Sequence, residues 1–189
     1  MKPSTLILFS FMCIAQWYIP GAMIAGQENI LAGGKPFRFK TSPIDPSDPF
    51  RGKYITLNFE ASTFQHPGCQ WERGKKVWVV LKEDHNGFAA IADITETLAD
   101  SAKGDYLEAV VSFCDEEAVR VSYPFERFYL EESKASDAEL VYWDETHNDS
   151  TQTAYALVWI KNGKAALADV KINERSIVDV VRELNAGKP

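Results

Sequence analysis

Residues 153–172, TAYALVWIKNGKAALADVKI, constrain the fold more than any other stretch. Two β-rich halves flank Asn162-Gly163. The favoured two-residue hairpin turns need positive φ at one or both central positions, and Asn followed by Gly meets that need at low cost. Strands joined this tightly pair antiparallel. The device recurs along the chain. Residues 77–84 and 88–97 flank the turn His85-Asn86-Gly87, and residues 106–113 and 118–123 flank Asp115-Glu116-Glu117. Residues 36–40 alternate as a first strand, and residues 64–76 read as a loop. Residues 136–148 carry a helical pattern, and residues 176–187 read as a short helix or a last strand. About eight strands in hairpins give a mainly β (α+β) class. The expectation is an antiparallel barrel-like or sandwich-like sheet with one or two short helices, preceded by an N-terminal apolar segment.

Residues 6–25, LILFSFMCIAQWYIPGAMIA, carry no charge. Twenty helical residues rise about 30 Å, the thickness of a hydrocarbon core. Ser10, Gln16 and Pro20-Gly21 weaken the segment. It reads as a retained anchor with Trp17-Tyr18 near an interface. The alternative is a signal peptide cut near Ala25 or Gly26. The division is then residues 1–26 as anchor or signal, 27–35 as linker, and 36–189 as an extracytoplasmic β-rich domain. Residues 26–34 also read as a short helical extension with a glycine C-cap. The expected location is the cell membrane, single-pass, with the domain on the periplasmic side; after cleavage it would be secreted to the periplasm.

Residues 42–59, SPIDPSDPFRGKYITLNF, separate the first strand from the second. Proline fixes its own φ and drives the preceding residue out of the helical region. Pro43, Pro46 and Pro49 recur every three residues, so the chain there is extended or turning. From Tyr54 to Glu60 the pattern is strictly period two, with Ile55, Leu57 and Phe59 on one face. The stretch parses as turn, elbow, strand.

These features together resemble the membrane-anchored proteins named after a GDYxxLxY motif. That family shows an N-terminal membrane segment, a short linker, a Pro- and Asp-rich elbow, then the motif. Here the elbow spans residues 43–52 and the motif reads Gly52-Lys53-Tyr54-Ile55-Thr56-Leu57-Asn58-Phe59. Lys53 replaces the motif's Asp, and Phe59 its final Tyr. The literal Gly104-Asp105-Tyr106 lacks the elbow and the Leu spacing. Residues 123–134, an aromatic run followed by Glu132, and residues 159–167 are also similar to family blocks. The resemblance implies a topology and no particular reaction.

No convergent catalytic or metal set stands out. His66 and Cys69 are three apart, with His85 elsewhere, whereas zinc needs three or four converging ligands. His66, His85 and His147 lack a GxSxG partner, and Gly33-Gly34-Lys35 lacks phosphate-loop spacing. Asp45 and Asp48 beside Arg51 form the strongest polar cluster. Turn capping explains those residue types, and a hydrolase using Asp45, Asp48 or Glu132 is the less favoured reading. The aromatic run Tyr123, Phe125, Phe128 and Tyr129 reads as core before ligand platform. Cys69 and Cys114 either pair or stay free thiols. A net charge of −7 makes nucleic acid a poor partner, since phosphate neutralisation needs clustered Lys and Arg. The expectation is a non-enzymatic envelope protein with no cofactor, which binds or stabilises an integral-membrane partner. The alternative is a module for a glycan or lipid head group. Asp45, Asp48, Arg51, Tyr54 and Glu132 are the candidate contact residues.

Overall fold

The computed structural model describes residues 3–42, 54–98, 105–129 and 153–186. Helix α1 (Pro3–Gly33) is continuous through Pro20. The apolar segment and the helical extension are therefore one rod. Only Gly34 separates α1 from β1 (Lys35–Ser42).

The strands that follow are β2 (Tyr54–Thr56), β3 (Asn58–Phe59), β4 (Thr63–Gln65), β5 (Lys76–Glu83) and β6 (Ala89–Thr95). Next come β7 (Asp105–Cys114), β8 (Ala118–Ser122) and β9 (Arg127–Tyr129). The chain then runs through β10 (Ala154–Lys161), β11 (Lys164–Ile172), β12 (Arg175–Ser176) and helix α2 (Ile177–Ala186). One antiparallel sheet has the order β12-β11-β10-β1-β3, a second β4-β8-β7-β5-β6, and β2 pairs with β9. Together they make a nearly closed antiparallel barrel. The second sheet meets the first where β6 packs against β1 and β7 against β10 and β11. Registers skip Ala92, Ser112 and Ala168, each an extra residue in its strand. Such bulges bend and twist a strand, as closure requires.

The three hairpins form as their turns dictate. Asn162 and Gly163 have φ of 50° and 78°. At the β5–β6 turn, Asp84 Oδ1 accepts from the N–H groups of Asn86 and Phe88, both at 2.8 Å. At the β7–β8 turn, Asp115 Oδ1 accepts from Glu117 and Ala118.

Two readings need correction. The single strand over residues 54–60 is two strands in different sheets. The break is at Leu57, whose N–H donates to the Glu126 carbonyl at 2.7 Å. Before it the chain pairs with β9, after it with β1. The period-two pattern survives because Leu57 and Phe59 stay buried through the corner. The loop over residues 64–76 begins inside β4, which pairs with β8. Residues 176–187 combine both alternatives: Ser176 ends β12 and its hydroxyl accepts from the Val178 N–H at the start of α2.

Val77, Val79, Leu107, Val111, Val119, Val121, Val158 and Val170 fill the interior with almost no exposure. Phe39 is wholly buried among Phe59, Tyr123 and Phe125, at centroid distances of 5.5, 5.5 and 5.1 Å. The Tyr123 hydroxyl donates to the Ala61 carbonyl. Burial holds that phenol far above its usual range.

Candidate functional site

The site is the seat of α1 on the barrel. Along α1, Ile7, Phe9, Phe11, Ile14, Trp17, Met23 and Ile24 are exposed. The helix is long and apolar enough to cross a membrane by length and composition, and its apolar window has no buried residue. Burial starts at Ile30, which is 6% exposed where α1 reaches β10 and β11. The Gly34 N–H donates to the Ile30 carbonyl at 2.8 Å and closes the helix. A Cβ at Gly34 would lie 2.6 Å from the Ile30 oxygen and 2.9 Å from that of Ile160, so only glycine fits between rod and sheet.

Lys161, at the end of β10, reaches back to the rod. Its Nζ lies 2.9 Å from Asn29 Oδ1 and 3.2 Å from the Asn29 carbonyl. A cation near the C-terminal end of a helix is favoured by the helix dipole. The hairpin tip beside it is clamped to the other sheet. The Glu108 N–H donates to the Gly163 carbonyl at 3.0 Å. A Cβ on Gly163 would strike Trp78 at 2.6 Å. The tip therefore joins the rod, the first sheet and the second sheet.

Two grooves flank the seat. One, of about 410 Å³, lies between α1 and β7–β8 and is lined by Gln27, Ile30, Val110, Ser122 and Lys164 among others. The other, of about 680 Å³, runs along α1 from Met23 to Ile30 and is walled by Lys161, Asn162 and Lys164.

A second polar cluster closes the barrel away from the tip. Arg38 stands over the rings of Phe88 and Tyr155, at 5.4 and 5.8 Å, and its Nε donates to the Gly87 carbonyl. The Tyr155 hydroxyl donates to Glu174 at 2.8 Å. Burial, then the Glu174 carboxylate, pushes that phenol up to about 12. Every polar group here has a partner, so the cluster is a latch between the sheets.

The residues singled out from sequence divide as follows. Asp45, Asp48, Arg51 and Glu132 lie outside the described residues, as does the helix expected over residues 136–148. Tyr54 opens β2 opposite Tyr129. Tyr123 and Phe125 are core. Cys69 is bonded to Cys114 and so cannot be a thiolate ligand beside His66, whose ring stacks on Trp71 at 4.8 Å. Asp105, in the literal Gly-Asp-Tyr, instead pairs with Lys35 at 2.8 Å. Among the described residues no group of three or more His, Cys, Asp or Glu could hold a metal ion. Sequence reasoning passed over Asn29, Ile30, Lys161 and Lys164. The two lysines bracketing Asn162-Gly163 were the available signal.

The class defined here is an antiparallel β barrel carried directly on an exposed apolar helix. The GDYXXLXY protein family matches residues 16–170, most of the chain, and the chain belongs to that family. The match takes in the second half of the apolar segment as well as the barrel. Comparison with curated proteins and with solved structures finds no match. Within the motif, Leu57 is the corner residue and Phe59 a core ring, so these two positions serve the fold.

Proposed function

We propose that this chain is a non-enzymatic, membrane-anchored envelope protein whose barrel binds or stabilises an integral-membrane partner. The observation that carries this is the exposed apolar helix joined to the barrel through one residue, Gly34. A rod so fused holds the barrel close to the bilayer in one orientation, which suits docking onto a neighbouring membrane protein. The Cys69–Cys114 bridge supports an oxidising, extracytoplasmic location such as the periplasm, because disulfides persist there and are rare in the cytosol. A head-group or glycan module built on the elbow and the aromatic run has less support, since Tyr123 and Phe125, half of that run, are core rings.

The test is purification of full-length, tagged protein from its native membranes, with mass spectrometry of what accompanies it. A stoichiometric integral-membrane protein supports the proposal. A soluble, unaccompanied protein beginning near residue 26 or 27 overturns it.

A further inference from the structure

We propose that the groove between α1 and the β10–β11 tip receives the head group of an anionic phospholipid. This rests on the reading that α1 crosses a membrane. The depth follows from the helix. If the uncharged residues 6–25 fill the hydrocarbon core, Asn29 lies four residues, or about 6 Å, beyond its edge. That is head-group depth, since the polar layer adds roughly 5–8 Å on each side. Lys161 is bonded to Asn29, so the tip sits at the same level.

The groove is graded along the helix as a lipid is. At its lower end stand Met23 and Ile24, 69% and 65% exposed. Its upper end is lined by Lys161 and Lys164, with Glu28 as the opposing charge. Lys161 is held by Asn29 and meets no carboxylate among the described residues. Lys164 has no ion-pair partner among the described residues. Two cations against one carboxylate, above an apolar wall, fit a phosphodiester with its acyl chains lying along α1. Each lysine at an anionic membrane surface is worth about 1 kcal/mol, close to a fivefold preference.

The experiment uses full-length protein in nanodiscs of phosphatidylcholine containing a minority of phosphatidylglycerol. Lipid retained after mild detergent extraction is counted by native mass spectrometry. Wild type should retain phosphatidylglycerol above its share in the disc. K164Q should lower that enrichment about fivefold, while K82Q, on β5 of the other sheet, should leave it unchanged. Equal retention of both lipids overturns the proposal. So does an equal fall in K82Q, which would reflect net charge alone. Displacement by millimolar inorganic phosphate overturns it too, since the site would then serve a soluble anion. An alkaline carbonate wash of the starting membranes separates the two levels. Protein released by the wash removes the anchoring reading, whereas retained protein without lipid preference removes only the head-group site.

Discussion

Lys161 and Asn29 lie 132 residues apart in the chain, yet the lysine Nζ sits 2.9 Å from the asparagine Oδ1. The contact ties the last turns of the apolar rod to the tip of the clearest hairpin. K161M removes both of its hydrogen bonds and keeps most of the aliphatic stem. We expect faster protease cutting between residues 26 and 34, with the barrel's unfolding midpoint nearly unchanged. Peptide mapping of a timed digest checks this; an unaltered cutting pattern would mean that Ile30 and Gly34 alone fix the seat.

Gly34 is the tightest point of that seat. In G34A the new methyl meets two carbonyl oxygens that belong to backbone and cannot swing away. Overpacking of this kind costs about 1–3 kcal/mol. G26A is the control, because nothing lies within 4 Å of a Cβ there. Thermal unfolding in detergent should show a clear loss for G34A and none for G26A.

The Cys69–Cys114 bridge spans 45 residues of chain. Constraining the unfolded ensemble over a loop of that length is worth about 4 kcal/mol on the chain-entropy account. C69A/C114A should lose about 2–4 kcal/mol by urea titration. Reductant should bring wild type down toward the variant and leave the variant alone.

Asp115 gives a pH signature. Backbone donors at Ala118 and Glu117 hold its carboxyl below the usual range. A folded-state value below the unfolded one contributes stability above the unfolded value, and that stability is lost as pH falls through the folded value. D115A should therefore unfold earlier than wild type at neutral pH. The gap should begin to narrow as pH falls past the ordinary aspartate value of about 4 and close once the native carboxyl, held lower, is protonated. A gap independent of pH would mean the turn depends on packing rather than charge.

Hairpins were legible in the sequence because their causes are local. Asn162-Gly163, Asp84 with Gly87, and Asp115 each hold their turn with atoms a few residues away. The corner at Leu57 was not legible, because alternation continues unbroken while the hydrogen-bonding partner changes from β9 to β1. β4 was hidden for a related reason: it has three residues, and its partner β8 lies more than fifty positions away. The seat of α1 was harder still. Ile30 follows the polar run Gln27-Glu28-Asn29 and reads as part of a tether, and only the fold shows that it is buried against the sheet. The sequence leaves Cys69 and Cys114 as either a pair or two thiols, because closeness in space is a property of the folded chain.

Strand β1 lies inside its sheet, between β10 and β3, and its main partner spans Ala154–Lys161. Pairing that distant in sequence is slow to form. During synthesis β1 appears immediately after the rod, more than a hundred residues ahead of β10. The barrel therefore cannot close until most of the polypeptide has emerged, and β1 waits with an unpaired edge. An unpaired edge invites association with other chains. On the anchored reading, the rod is already in the bilayer during that wait. Each nascent barrel is then confined beside its own helix, apart from its neighbours, until its last hairpin arrives.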